Sequence, residues 1–284
     1  MEKKEKGLSV GTRRTIAYVV LAIISFLCLF WFYMLLINST RSHAELGRGF
    51  RLIPGGYMIA NLKGMLNGTQ PILNGLLNSV IVATCTAALS VYFSTLTAFA
   101  IHAYDFKLKK PLFTFILAIM MIPTQVTALG FIQLIRKMNL MNSFIPLIIP
   151  AIAAPITFFY LKQYMETALP HELLEAARID GASEITIFNK IALPIMVPGI
   201  AVQLIFTFVS SWNNYFTPAL VLVDNDKKKT LPILIAMLRA ADFLKFDMGI
   251  VYMTIAFSIF PVVVVYLLLS KYIVGGVAVG AVKG

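Results

Sequence analysis

Long stretches without charge dominate the pattern of hydrophobic and polar positions along this chain. Six of them cover residues 16–37, 72–101, 112–135, 139–161, 191–223 and 248–270. Each is long enough for a helix to cross a hydrocarbon core of about 30 Å. The connections between them are too short for an independent domain of typical size. The pattern therefore predicts an all-α membrane protein with six transmembrane helices.

The amino-acid composition supports a membrane protein and limits the kinds of partner that the chain is expected to bind. Of the 284 residues, 59% are apolar and 13% charged, which excludes a soluble globular domain and a disordered chain. The formal net charge is +11, but the basic residues flank spans and do not alternate with aromatics as in a single-strand binder. We therefore expect contacts with membrane lipid and no nucleic-acid partner. Cys28 and Cys85 lie in apolar spans and imply no disulfide framework.

The density of basic residues predicts the orientation. Six spans place both termini on one side, and the totals of Lys and Arg on the two sides are nearly equal. The side of the termini holds them more densely, because they crowd before the first span and into the loop after the second: Lys3, Lys4, Lys6, Arg13, Arg14, Lys107, Lys109 and Lys110. Dense positive charge favours the cytoplasm, so we expect both termini there.

The sequence lacks the motifs of the common hydrolases. No GxxxxGK[ST] phosphate loop and no GxSxG nucleophile elbow occur, and the three histidines are scattered. The segment from His171 misses the zinc-protease pattern HExxH because Glu175 stands where the second histidine belongs. We expect a transport protein that is not an enzyme and holds no metal.

The spans also lack ionisable residues, apart from His102 at one edge. Proton- and sodium-coupled carriers commonly bury such residues as relays. An ion-coupled carrier is therefore disfavoured, although backbone carbonyls can also bind sodium. Hydroxyls, amides and aromatic rings without charge suit a neutral polar solute such as a sugar.

Prolines interrupt two of the spans. Pro123 lies in the third, and Pro146, Pro150 and Pro155 lie in the fourth. A proline within a helix removes a backbone hydrogen bond and kinks or breaks the helix. In a membrane, such breaks are tolerated where the freed groups meet protein or a water-filled cavity. These spans either line a cavity or are simply packed against neighbours.

The loop between the fourth and fifth spans predicts two short helices. Residues 171–179 are rich in helix formers, Gly181 is placed where a helix ends with a positive φ, and Ser183 can cap the next helix. Leu173, Ala176 and Ala177 share one face at i, i+3 and i+4. The two alanines leave that face slim enough to enter a groove of a partner.

The same loop carries a resemblance to a known family. Glu175-Ala176-Ala177, three residues, Gly181, nine residues and Ile191-x-Leu193-Pro194 resemble the EAA loop of permease subunits in bacterial ABC importers. That family places the loop in the cytoplasm before the penultimate span. Ser211-Trp212-Asn213-Asn214 and the closing residues 279–284 resemble its carbohydrate branch, in particular the maltose-type second permease. The resemblance covers essentially the whole chain.

The resemblance implies the fold, the partners and the location of the chain. The fold would be the transmembrane domain of a type I ABC importer, in the inner or plasma membrane of a bacterium. The chain would pair with a second permease and two ATP-binding subunits, which bind ATP and Mg and leave this chain without a cofactor. A lipid-anchored or periplasmic solute-binding protein would deliver a sugar, and an oligosaccharide in particular.

It also implies an organisation for the chain. A cytoplasmic basic tail would cover residues 1–14, the first transmembrane helix 15–38, the core permease domain 72–272 and a cytoplasmic tail 273–284. The coupling loop would cover residues 164–194, and its ATPase-coupling residues would be Glu175, Ala176, Ala177, Asp180 and Gly181. Glu175 would make polar contacts, the alanines would pack closely, and Gly181 would make the turn.

Solute contacts are expected near the Pro123 break and in the fifth span. The candidates supply amides and aromatic faces, as sugars require: Gln125, Trp212, Asn213, Asn214 and Tyr215. Amides in membranes also join helices to one another, and the partner permease can hold most of the contacts. The alternative solutes are a polyol and glycerol phosphate, although a phosphorylated solute would call for Arg or Lys near the pathway, and the spans contain neither.

Overall fold

The computed structural model describes residues 10–68, 70–240 and 247–281, and within these ranges the regular structure is entirely helical. Two compact units are present: Met1–Gly68 with Ala241–Phe257, and Thr69–Ala240 with Ser258–Gly284. The α-helices, in chain order, are α1 Val10–Ser39, α2 His43–Gly47, α3 Met58–Asn67, α4 Ile72–Ala103, α5 Lys109–Met120, α6 Thr124–Lys137, α7 Ile145–Ile148, α8 Pro155–Ala168, α9 His171–Ile179, α10 Glu184–Thr186, α11 Leu193–Trp212, α12 Phe216–Val221, α13 Leu231–Ala240 and α14 Met248–Ala281.

The predicted number of spans is confirmed when one bent pair of helices counts as a single span. The five continuous segments that are long and apolar enough to cross a membrane are Gly11–Ser39, Ile72–Ala103, Ile145–Ala168, Glu184–Trp212 and Met248–Tyr272. The sixth consists of α5 and α6, whose axes are bent by 96°.

The third span breaks at the predicted proline. Helix α5 ends at Met120, and α6 begins at Thr124, directly after Pro123. Pro123 has extended backbone angles, φ −63° and ψ 132°. It lacks the N–H that would continue α5, so the chain turns there. The predicted break of this span at Pro123 is therefore confirmed.

The fourth span begins and ends later in the chain than predicted. Asn139 and Asn142 both have φ of 55°, a left-handed conformation, and both lie in the connection between α6 and α7, before the first helix of this span. Helix α7 is followed by a 3₁₀ turn over Ile149–Ile152, and α8 continues to Ala168. Helix α7, the 3₁₀ turn and α8 each have a proline in their first positions, where no hydrogen bond is lost through the missing N–H.

The fifth span is shorter than predicted. A π-helical turn over Ile187–Ala192 leads into α11, which ends at Trp212. Asn214 lies in the turn that follows, and its side-chain oxygen accepts a hydrogen bond from Thr217 N at 3.3 Å. This bond favours a new helix start, and α12 begins there as a separate element.

The larger unit is built around α4, which packs against both α8 and α11. Its buried core includes Leu161, Met165, Phe188 and Met196. Gly199 permits the close approach of α11 to α8, because a Cβ built there would lie 2.6 Å from Cδ1 of Tyr164. Small residues at such contacts are typical of helices packed in membranes.

The segment after α12 is fastened to the beginning of α4. Asn78 Nδ2 donates to the carbonyl oxygens of Lys227 and Lys229 at 2.8 and 2.9 Å. Ser79 Oγ accepts a hydrogen bond from Leu231 N at 2.8 Å, at the first residue of α13. These bonds satisfy backbone groups of the segment and fix α13 against α4.

In the smaller unit, side chains close the end of α1. Asn61 Nδ2 donates to the carbonyl oxygens of Ser39 and Arg41, at 2.8 and 2.9 Å. The buried guanidinium of Arg41 donates in turn to the carbonyl oxygen of Gly49 at 3.0 Å. The carbonyl oxygen of Ser39, the last residue of α1, is thereby paired, and two carbonyls of the following segment are paired as well.

Candidate functional site

The EAA-like loop contains a helix closed by a turn that needs glycine. Helix α9 ends at Ile179, and Gly181 has φ +79°. Gly181 N donates to Arg178 O at 3.0 Å, and Ala182 N donates to Ala177 O at 3.0 Å. This pair of bonds is the Schellman motif, in which the left-handed residue is usually glycine. The predicted helix and its turn are both confirmed.

A second cap follows the turn. Ser183 Oγ accepts a hydrogen bond from Thr186 N at 3.3 Å, as the sequence predicts. The short helix α10 then runs without interruption through the π-helical turn into α11. The part of the loop from Glu184 onward therefore belongs to the same continuous helical segment as the fifth span.

One prediction about α9 is wrong. Leu173, Ala176 and Ala177 do not form one outward face, because Ala177 is buried while Leu173 and Ala176 are exposed. Leu174 is fully buried and, with Ala177, belongs to the core of the larger unit. The chain's own core thus takes the Leu174–Ala177 side of this helix.

The opposite side of α9 is exposed over most of its length. Ile179 is 86% exposed and Ile185, just after the turn, is 76% exposed. The side chains of Glu175, Ala176 and Asp180 are exposed as well. We call the set of Leu173, Glu175, Ala176, Ile179, Asp180 and Ile185 the loop surface.

A polar network holds α9 to the end of α4. Arg178 Nε donates to Glu184 Oε1 at 2.8 Å, and Arg178 Nη2 donates to Ala103 O, the last carbonyl of α4, at 3.2 Å. Tyr104 Oη donates to Glu184 Oε2 at 2.6 Å, and its ring lies 5.4 Å from the Arg178 guanidinium. The hydrogen bond to Glu184 raises the pKa of Arg178, and burial raises the pKa of the Tyr104 phenol.

A stacked pair of histidines makes a second attachment. The rings of His102 and His171 lie with their centroids 4.2 Å apart. His102 Nε2 donates to Leu169 O at 2.9 Å, so that ring nitrogen carries the proton. His171 is the first residue of α9, and both ends of this helix are therefore fixed to α4.

An open cavity of about 800 Å³ lies among α4, α8 and α11, and some of its lining side chains, such as Tyr160 and Phe206, are exposed. None of its lining residues is charged. Its polar lining consists of hydroxyls and one amide: Thr86, Ser90, Thr157, Tyr160, Gln203, Thr207 and Ser210. Its volume is within the range of roughly 300–1,000 Å³ found for small-molecule sites.

A second cavity of about 250 Å³ shares Thr86 and Ala151 with the first. Its lining includes Pro146 and Pro150, and Pro155 lines the larger cavity. Of the two interpretations left open for the prolines, a cavity beside the broken fourth span is the one that the structure confirms.

The predicted solute residues are mostly outside these two cavities. Only Asn214 lines one of them, the smaller. Trp212 is 4% exposed, and its ring stacks on Phe208 with centroids 5.8 Å apart. Its indole face therefore packs against Phe208. Gln125, Asn213 and Tyr215 are exposed and line neither cavity.

The sequence interpretation missed the polar residues of α11. Gln203, Thr207 and Ser210 recur at i, i+4 and i+7 and share one side of this apolar helix. That spacing was visible in the sequence, and it is the signal that would have found them.

Comparison with known proteins identifies the family. The family described as the binding-protein-dependent transport system inner membrane component matches residues 90–278, which include the EAA-like loop and most residues that line the two cavities. The chain belongs to this permease family. The permease is therefore a multi-pass inner membrane protein with a transport role, as predicted.

Two curated relatives span nearly the whole permease. It is 36% identical over 266 residues to the arabinooligosaccharides transport system permease protein AraQ of Halalkalibacterium halodurans, covering 93% of this chain and 94% of the relative. It is 28% identical over 282 residues to the sn-glycerol-3-phosphate transport system permease protein UgpE of Pectobacterium atrosepticum, covering 97% and 98%.

A solved structure shares the fold. The permease matches a chain of a bacterial ABC transporter involved in the import of the acidic polysaccharide alginate with a TM-score of 0.79, at 20% identity. The match covers 94% of this chain and 99% of that chain. The predicted fold of an ABC importer transmembrane domain is confirmed.

Proposed function

We propose that this permease forms one half of the channel of an ATP-driven importer for a neutral saccharide, and for an oligosaccharide in particular. The observation that carries this proposal is the uncharged cavity of about 800 Å³, lined by hydroxyls and an amide. Sugar hydroxyls both donate and accept hydrogen bonds, and such side chains complement them without charge. The arabinooligosaccharide system of the AraQ relative supports the same solute class.

Glycerol phosphate is the second candidate, because UgpE relatives carry that solute in their names. A phosphate is best bound by Arg or Lys, through charge-assisted hydrogen bonds. Neither cavity has such a residue in its lining. The lining therefore favours the neutral saccharide over glycerol phosphate, and a polyol is the remaining neutral alternative.

The assembly follows from the single copy of the EAA motif. One copy corresponds to one contact with one ATP-binding subunit, so a second permease and a second ATP-binding subunit complete the channel. A solute-binding protein outside the cell delivers the saccharide, and ATP with Mg is bound by the partner subunits. The loop and both termini lie on the cytoplasmic side.

The loop surface is the proposed docking site for the ATP-binding subunit. Glu175 and Asp180 offer carboxylates, Ala176 permits close approach, and Ile179 offers an apolar contact at 86% exposure. Ala177 acts from the core side by fixing the helix, and Gly181 makes the turn. Closure of the ATP-binding subunits would move this surface and shift the channel toward its outward-facing state.

The test is the purification of the tagged permease from its native membrane, followed by mass spectrometry of the subunits that stay bound. We expect a second permease and an ATP-binding subunit. Reconstituted vesicles are then supplied with labelled arabinotriose, maltotriose, glycerol or glycerol 3-phosphate. ATP-dependent uptake of a saccharide supports the proposal, and uptake of glycerol 3-phosphate alone contradicts it. Recovery of the permease without any ATP-binding subunit contradicts the assembly.

A further inference from the structure

Helix α11 presents a row of polar side chains to the larger cavity. Gln203, Thr207 and Ser210 all line it, and their spacing places them on one side of the helix. The helix is otherwise strongly apolar, with the sequence LPIMVPGIAVQLIFTFVSSW. A polar row of this kind in a membrane helix needs hydrogen-bonding partners, because lipid offers none.

Gln203 is buried without a partner. Its side chain is 7% exposed, and within the described part of the chain its amide makes no hydrogen bond. An amide carries two donors and an acceptor, and Gln203 lines the cavity, where these groups are available to another molecule. Thr207 and Ser210 likewise make no side-chain hydrogen bond to the described residues. The whole row therefore faces the cavity with free hydrogen-bonding groups.

The opposite wall of the cavity differs. Ser90 Oγ donates to Thr157 Oγ1 at 3.2 Å, and Thr86 Oγ1 donates to Leu147 O at 3.4 Å. These hydroxyls join helices to one another. The polar groups of the wall are thus divided into a set that holds the fold together and a set, on α11, that is left for another molecule.

We propose that Gln203, Thr207 and Ser210 bind the hydroxyl groups of the transported saccharide, and that Gln203 determines which saccharide passes. This inference rests on the proposed function and names residues for it. The amide of Gln203 can accept from one sugar hydroxyl and donate to another, as vicinal hydroxyls require. Phe206 and Tyr160 line the same cavity and offer apolar ring faces to the C–H groups of a sugar.

The row continues toward the end of the helix. Ser211 and Asn214 line the smaller cavity, four and seven residues after Thr207. The two cavities share Thr86 of α4 and Ala151 of the 3₁₀ turn, so they adjoin there. A saccharide moving along this route exchanges one uncharged hydrogen-bonding group for the next, without crossing a charged site that would hold it.

The experiment compares Gln203→Leu with Gln133→Leu in the complete importer. Gln133 is an exposed glutamine of α6 that lines neither cavity, so its variant controls for the loss of an amide from a membrane helix. Uptake of labelled arabinotriose and maltotriose is measured in vesicles together with ATP hydrolysis stimulated by the binding protein. Co-purification of the second permease and ATP-binding subunit reports assembly.

We expect Gln203→Leu to lower saccharide uptake about tenfold, the loss that follows when one partner of a buried hydrogen bond is removed. Stimulated ATP hydrolysis should stay within about twofold of the wild type, because the docking contacts remain. Gln203→Asn, which keeps a shorter amide, should change the ratio of arabinotriose to maltotriose uptake. Gln133→Leu should transport both sugars as the wild type does.

Three outcomes would overturn the proposal. Saccharide uptake by Gln203→Leu equal to that of Gln133→Leu removes the role of the amide while leaving the proposed function intact. Loss of the second permease from purified Gln203→Leu shows that the amide joins the two permeases instead. A wild-type importer that carries glycerol 3-phosphate and no saccharide overturns the proposed function as well.

A second measurement does not depend on the folding of the leucine variant. Ser210→Cys, in a background where Cys28 and Cys85 are replaced by Ser, is treated with a thiol reagent in the assembled importer. We expect the transported saccharide to slow the labelling of this cysteine. Labelling at the same rate with and without the saccharide would place the solute elsewhere.

Discussion

Arg178 and Glu184 form an ion pair at 2.8 Å that links α9 to the start of α10 across the Gly181 turn. The pair also reaches outside the loop, because Arg178 donates to Ala103 O and Glu184 accepts from Tyr104 Oη. Four groups thereby fix the orientation of the loop surface on the end of α4. The network involves none of the exposed residues expected to contact an ATP-binding subunit.

The first prediction concerns this pair. The side chains are 34% and 42% exposed, so the pair contributes under about 1 kcal/mol to stability. Arg178→Gln should therefore leave the melting temperature nearly unchanged. Uptake per ATP hydrolysed should fall several-fold, because α9 is no longer held against Ala103 O. Vesicle uptake and ATP hydrolysis measured on one sample give this ratio.

A charge reversal provides the control. Arg178→Glu combined with Glu184→Arg restores an ion pair but not the bond to the α4 carbonyl. We expect partial recovery of the ratio relative to Arg178→Glu alone. An unchanged ratio in all three variants would show that the network only stabilises the loop.

Gly181 provides a test of the turn. Its φ of +79° disfavours β-branched residues, and no atom lies within 4 Å of a Cβ built there. The cost of Gly181→Val is thus conformational, roughly 1–2 kcal/mol or more. We expect this variant to stop saccharide uptake while the binding protein still captures its solute. Gly181→Asn, which tolerates positive φ, should retain most uptake, and equal uptake in the two variants would contradict the role of the turn.

Two helical glycines should respond in opposite ways to alanine. Gly199→Ala would bring a Cβ to 2.6 Å from the Tyr164 ring and should destabilise the protein by about 1–3 kcal/mol. Gly130 of α6 has no neighbour within 4 Å of a built Cβ, so Gly130→Ala should be neutral or stabilise by up to about 1 kcal/mol. Thermal unfolding in one detergent compares the two. Similar melting temperatures would show that α8 and α11 are less closely packed.

Thr230 and Ser79 make a matched pair of buried hydroxyls. Thr230 Oγ1 is buried and has no hydrogen-bond partner among the described residues. Thr230→Val should therefore leave stability unchanged or raise it. Ser79→Ala removes the acceptor of Leu231 N and should cost about 1–3 kcal/mol, because a buried donor is left unpaired. Equal losses in the two variants would mean that Thr230 finds a partner in the assembled importer.

Proline, glycine and capping residues allowed several helix boundaries of this fold to be predicted from the sequence. Pro123 predicts the break of the third span, and Gly181 and Ser183 predict the turn and the cap in the loop. Each of these residues acts on its own backbone or on the backbone of a nearby residue, so its effect can be predicted locally. The bend of 96° between α5 and α6 could not be predicted from the sequence. A proline fixes where a helix stops, whereas the direction of the next helix depends on what packs against it.

The side of α9 that faces outward shows a second limit. Leu173 with Ala176 and Leu174 with Ala177 have the same i, i+3 spacing, so the sequence alone permits either apolar pair to be buried. Leu174 is the buried one because it belongs to the same hydrophobic core as Met165, Leu169 and Ile187. The packing of Trp212 could not be predicted for a similar reason, because its ring stacks on Phe208 and the sequence alone does not show which neighbour it meets.

The uninterrupted helical segment from Glu184 to Trp212 connects the EAA-like loop to the cavity, so it can act as a lever between them. At about 1.5 Å per residue, its 29 residues extend over roughly 40 Å, with the EAA-like loop at one end and Ser210 at the other. A tilt of such a helix about a point along its length displaces each end in proportion to its distance from that point. Pro194 and Pro198 lie between the two ends, and each leaves a backbone bond unmade, so the segment can bend there.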